Sequence, residues 1–176
     1  MKHFIKFVAV ISLSSVAFSE MKKEGGMVAD AESGQLIRTL SEKSHLTNNP
    51  TLVAESIKTL GRRRDVTAIP VLIEVIDFRD PNYRIDYGRL QRSAVDGMPS
   101  IEALHMIGKA SLQSLLEAIK SESSPHRLWC MAAAITLIQG QEQAVKTIDS
   151  AIAETKDQAV IKRLRIVRKC IVEGFV

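Results

Sequence analysis

The chain has 176 residues, of which 25% are charged and only 5% aromatic, with a formal net charge of +4 and two cysteines. A length of this order holds one domain and hardly two. Weak net charge and scarce aromatic rings leave no concentrated basic footprint with stacking platforms, so nucleic acid is not an expected partner.

Residues 1–19 read as a removable export signal. Lys2, His3 and Lys6 form a positive head, Phe7 to Phe18 is an apolar segment diluted by serines, and Ala17-Phe18-Ser19 offers the small residues that a signal peptidase inspects. Cleavage is expected after Ser19, because the apolar run is shorter than the roughly 20 residues needed to span a bilayer. The mature chain would begin at Glu20, carry no membrane span, and reside in the periplasm or outside the cell. It would hold 24 − 2 = 22 basic against 20 acidic side chains. Neither Cys130 nor Cys170 follows the signal closely enough to take a lipid. Residues 20–32, with Lys22-Lys23-Glu24-Gly25-Gly26, lack any apolar period and are expected to be a flexible lead-in to a domain over 33–176.

From Gln35 onward the apolar residues fall at helical spacing and no strand-like alternation is sustained, so the domain is expected to be all-α. Ile69, Leu72, Ile73 and Ile76 form one stripe at i, i+3, i+4, i+7. Leu112, Leu115, Leu116 and Ile119 repeat it, with Glu74 and Glu117 at matching places. Val145, Ile148 and Ile152 repeat it again after 145 − 112 = 33 residues. Partner helices announce themselves at Asn49-Pro50, Met98-Pro99 and Ser124-Pro125, since proline in the first helical turn has no useful N–H to lose. Leu60-Gly61, Ile107-Gly108 and Gln139-Gly140 mark their expected ends. A fourth partner helix should start near Asp157, again 157 − 124 = 33 residues after its counterpart cap.

These spacings outline four helical hairpins: 35–61, 66–108, 110–140 and 141–173. The interval 108 − 61 = 47 exceeds 140 − 108 = 32 by 15, which places an insertion at 79–98. The segment Asp65-Val66-Thr67-Ala68-Ile69-Pro70-Val71-Leu72-Ile73-Glu74-Val75-Ile76 resembles the first helix of a HEAT-like repeat. Pro99-Ser100-Ile101-Glu102-Ala103-Leu104-His105-Met106-Ile107-Gly108-Lys109-Ala110 resembles a second helix with its inter-repeat turn. The resemblance covers about residues 35 to 173 and is strongest between 60 and 140. It implies a short HEAT-repeat solenoid, a right-handed α-α superhelix whose second helices line the concave side and whose end repeats are modified. Ser111, where relatives often carry proline, and the insertion depart from the pattern.

No residue cluster specifies a reaction. His45, His105 and His126 stand apart, without Glu or Cys at ligand spacing, and there is no phosphate loop, nucleophile elbow or Cys-x-x-Cys pair. No catalytic residue, cofactor or metal is therefore expected, and the chain is read as a protein-interaction or scaffolding module rather than an enzyme. Trp129, amid Leu128, Met131, Ala133, Ala134, Leu137 and Ile138, is expected in the core. The residues proposed to meet a partner are Tyr83, Arg84, Tyr87 and Arg89 of the insertion, Arg127, and Lys162, Arg165 and Lys169 on the last helix. The insertion is either a functional loop or a flap folded back over its hairpin. The last helix is either the solvated face of an end repeat or a docking surface for an acidic partner. Two other functions compete: a chemistry like that of the phycobilin lyases, some of which have HEAT-like repeats, and electrostatic binding to anionic envelope polymers. Export argues against the first, which is intracellular. The repeat register sets Cys170 seven positions beyond the counterpart of Cys130, out of disulfide range, so two free thiols are expected, Cys130 buried and Cys170 more accessible.

Overall fold

A computed structural model describes residues 31–83 and 95–174, and every regular element among them is helical. The protein is all-α. The chain divides between Gln35 and Leu36, a boundary that the first described helix, α1 (31–41), crosses. The helices of the second unit are α2 (Lys43–Asn48), α3 (Pro50–Arg63), α4 (Ile69–Glu74), α5 (Pro99–Ile107), α6 (Leu112–Ser121), α7 (Pro125–Gln139), α8 (Gln141–Glu154) and α9 (Gln158–Glu173). Short 3-10 turns, Val66–Ala68 and Gly108–Ser111, lead into α4 and α6.

Local chemistry accounts for the starts. Pro50, Pro99 and Pro125 open α3, α5 and α7. Ser124 caps α7 by accepting from Arg127 N, and Asp157 caps α9 by accepting from Ala159 N at 2.8 Å and Val160 N at 3.3 Å. Two boundaries differ from expectation. Residues 31 and 32, assigned to the lead-in, are already helical, and the short helix α2 intervenes before α3.

Gly61 does not end α3. The helix runs on to Arg63, and Arg64 takes the left-handed cap conformation at φ 53°, its N–H donating to Gly61 O. Gly61 is instead buried inside the helix where α5 crosses it; a Cβ there would lie 2.7 Å from Ala103 Cα. The glycine serves close helix approach rather than chain reversal. Gly108 and Gly140 do terminate α5 and α7, at φ 82° and 79°.

Packing follows a simple order. In sequence, α3 packs on α5, α5 on α7 and α7 on α9, while α4 pairs with α5, α6 with α7 and α8 with α9. The stripes read from sequence point inward: Ile69, Leu72, Ile73, Ile76, Leu115, Ile119 and Ile148 are buried, with Leu112, Leu116, Val145 and Ile152 packed partly against them. Helix α7 lies between α5 and α9, and its middle, Met131 to Ile135, is buried on all sides. Its alanines let its neighbours approach closely. Ser111, the departure from the repeat pattern, is fully buried and its hydroxyl donates to Leu104 O at 3.3 Å, tying the 3-10 turn to α5.

Candidate binding surface

Helices α3, α5 and α9 each keep a stripe toward solvent, whereas α7 is exposed only near its two ends, at Pro125, His126 and Leu137. On α5 the stripe is Glu102, His105 and Met106, at i, i+3, i+4, with Lys109 following in the 3-10 turn. Single exposed apolar side chains are ordinary on a protein surface. Here they recur, one per helix of the row: Leu52 on α3, Met106 on α5, Leu137 on α7 and Val172 on α9, at 49%, 37%, 41% and 50% exposure. Trp129, expected in the core, is only half-buried. Its indole packs on the core from one side and stacks with His126 at 5.9 Å, so α7 offers a ring pair at its first turn.

The insertion is pinned at its neck. Asp80 N donates to Gly97 O at 2.9 Å, which joins the two ends of the excursion. The Asp80 carboxylate, 6% exposed, accepts from Lys58 Nζ at 2.9 Å and from Asn82 N at 2.9 Å, and Asn82 in turn donates to Thr51 Oγ1 at 2.7 Å. Its hydrogen bond to Asp80 is the main cause holding the Lys58 ammonium above the usual lysine range. Tyr83 lies against Gly97, whose φ of 77° and missing Cβ, 3.1 Å from the Tyr83 ring, leave no room for another residue. The described ends of the insertion thus fold back on α3 and α5. Arg84, Tyr87 and Arg89 lie outside the described residues.

Arg127 joins two hairpins. Its guanidinium donates to Glu122 Oε2 at 2.7 Å, Asp77 Oδ1 at 2.6 Å, Glu74 O at 2.9 Å and Ile73 O at 3.0 Å. Two of these acceptors are carbonyls at the C-terminal end of α4, Glu74 O and Ile73 O, the latter also accepting from Ile76 N at 3.3 Å. Burial pushes the Glu122 carboxyl up, but the Ser124 N–H and the Arg127 guanidinium outweigh it and hold the group below the usual glutamate range. The Arg127 side chain is 22% exposed and fully engaged by its own chain.

Lys162, Arg165 and Lys169 are exposed together along α9, opposite the buried Val160, Leu164, Val167 and Ile171. The described residues among those predicted stand at three places: Tyr83 at the insertion neck, Arg127 at the junction of α4 and α7, and the three cations on α9. Sequence reasoning missed Asp80, Lys58 and Glu122, although Asp80-Pro81-Asn82 carries turn chemistry that would have flagged the first.

Cys130 Sγ lies 3.9 Å from His126 Nε2, yet burial and the nearby Asp77 charge push its thiol up to about 11, so it stays protonated at neutral pH and is a poor nucleophile. Both cysteines are free, Cys130 buried and Cys170 partly exposed. Cavities of about 340 and 300 Å³ share Gln113, Leu116, Ala151 and Glu154 and form one groove between α6 and α8, floored by Val160 and Leu164. Among the described residues no group of His, Cys, Asp and Glu is arranged to hold a metal, and no helix is long and apolar enough to cross a membrane. Comparison with models of known families, with curated proteins and with solved structures finds no match.

Proposed function

We infer that this chain is an exported binding or scaffolding module with HEAT-like repeats, which takes a protein partner along the row α3, α5, α7, α9. One observation carries the reading: each helix of that row exposes one large apolar side chain, Leu52, Met106, Leu137 or Val172. Isolated anchors on a polar surface are what a non-obligate interface uses, with a few desolvated contacts inside a polar rim. The half-buried His126–Trp129 pair adds a rigid aromatic contact on the same row. Arg127, whose guanidinium bonds across the α4–α7 junction, is assigned here to holding the row in place rather than to the partner.

Photo-crosslinking in the native host tests this reading. Probes at Met106 and Leu137 should capture one discrete protein, and probes at Gln113 and Gln143 on α6 and α8 should not. Adducts of equal yield from all four positions, or none from the row, would reject it. Mass analysis of the N-terminus in the same extracts tests export: a chain beginning at Glu20 is expected, and an intact Met1 on membrane-bound material contradicts it.

A further inference from the structure

Exposed charges on neighbouring helices are mixed in sign and pair within their own helix. Lys120 meets Glu117 at 2.6 Å on α6, and Lys146 meets Glu142 at 2.7 Å on α8. Helix α9 is different, with five cations, Lys162, Arg163, Arg165, Arg168 and Lys169, against the single acid Glu173. Two of the five turn back to the protein. Arg163 donates to Lys120 O at 2.8 Å, and Arg168 grips Asp149 through Nε and Nη2 at 2.6 and 3.2 Å. The other three share one stripe at i, i+3, i+7. Among the described residues, Lys162 and Arg165 have no hydrogen-bonding or ionic partner, and Lys169 has only Glu173, at 3.8 Å.

Solvation alone explains a polar face, not a face of one sign. Like charges three and four residues apart on a helix repel, and the mixed pairs of α6 and α8 avoid that cost. The stripe runs over 169 − 162 = 7 residues, about 10 Å at 1.5 Å per residue. We propose that it binds an extended chain of phosphate groups. Between the three cations the stripe carries no apolar anchor, so a folded acidic protein would find nothing there to desolvate. A densely charged chain needs none, and the Arg165 fork matches phosphate oxygens in a bidentate way. This site shares α9 with the row, where Val172 continues the stripe beyond Lys169, but it rests on the three cations and not on the exposed apolar side chains.

The test uses the full chain, long-chain inorganic polyphosphate, and polyglutamate of equal total charge as comparator. Contact with three phosphates of a flexible chain should give a log–log salt slope near −2, so affinity for polyphosphate should fall roughly 16-fold between about 50 and 200 mM salt. The triple variant K162E/R165E/K169E should lose at least tenfold in affinity with helix content unchanged, and the milder K162Q/R165Q/K169Q should show the same direction. A control with the same charge change, K43E/K109E/K120E, should lose far less. Absence of polyphosphate binding, equal losses in the triple variant and the control, or tighter binding of polyglutamate would each overturn the proposal.

Discussion

Replacing Arg127 by methionine keeps much of its aliphatic volume and removes every bond of the guanidinium. Four acceptors lose their donor: the carboxylates of Glu122 and Asp77 and the carbonyls of Ile73 and Glu74. They do not weigh equally. The Asp77 side chain is 40% exposed and recovers water, so its share is at most about 1 kcal/mol. Glu122 is 14% exposed and keeps its bonds from Ser123 N and Ser124 N, yet it loses a charge-assisted partner worth roughly 1.5–3 kcal/mol. The two helix-end carbonyls are only partly rehydrated and add about 0.5–1 kcal/mol each. Because these terms overlap, we expect Arg127→Met to lower the unfolding free energy by about 3 kcal/mol and the melting temperature by about 10 °C. Arg127→Lys should recover less than half, since an ammonium cannot span all four acceptors. Urea denaturation with matched slopes measures both. A loss under about 1 kcal/mol for Arg127→Met would show that the network is solvated and that the residue is available to a partner after all.

Three further outcomes follow from the same coordinates. Gly61→Ala should destabilise despite a gain of about 1 kcal/mol in helix propensity, because a Cβ 2.7 Å from Ala103 Cα forces α3 from α5 at a typical overpacking cost of about 1–3 kcal/mol; a stabilised variant would contradict the close approach. The Glu122 carboxyl is held below its ordinary value of 4.5, so its contribution is complete above that value and is lost as pH falls through its lower folded value; Glu122→Gln should flatten the acid limb of the stability curve there, and an unchanged acid limb counts against the pairing. Ellman titration should find two thiols after denaturation under non-reducing conditions and only Cys170 reacting promptly in the native state; a Cys130–Cys170 bridge would mean the repeat register is wrong.

Features decided within one turn of chain were legible in the sequence. Pro50, Pro99, Pro125 and Asp157 open helices because a missing N–H or a capping carboxylate acts on its own neighbours. The stripe Ile69, Leu72, Ile73, Ile76 shows its burial by spacing alone, and the surplus between hairpins located the insertion, whose neck closes at Asp80 and Gly97. Features decided by a distant partner were not legible. Gly61 looks like a helix end until Ala103, 103 − 61 = 42 residues on, is seen to occupy the space of its Cβ. Arg127 looks like a surface cation until the end of α4, more than 50 residues earlier, is found against it. The surroundings of Trp129 are apolar along the sequence, but its own face of α7 looks outward beside His126.

The 33-residue offset between α7 and α9 makes their difference interpretable. Met131, Ala134 and Ile138 map onto Leu164, Val167 and Ile171, and both sets face the core. Cys130, Ala132 and Ile135, buried in α7, map onto Arg163, Arg165 and Arg168. The exchange tracks cover: α7 has α5 on one side and α9 on the other, and the corresponding flank of α9 is open enough for charge. Two of the new arginines then act on the chain itself. Arg163 reaches Lys120 O at the end of α6, as Arg127 reaches Ile73 O and Glu74 O at the end of α4. In both cases a cation from a second helix meets carbonyls at the negative end of the first helix one hairpin earlier. The two arginines are 163 − 127 = 36 residues apart, not 33, so the device recurs almost one helical turn further along. Helix α4 is shorter than α6, and each arginine stands where its helix-end carbonyls lie rather than at a fixed repeat position.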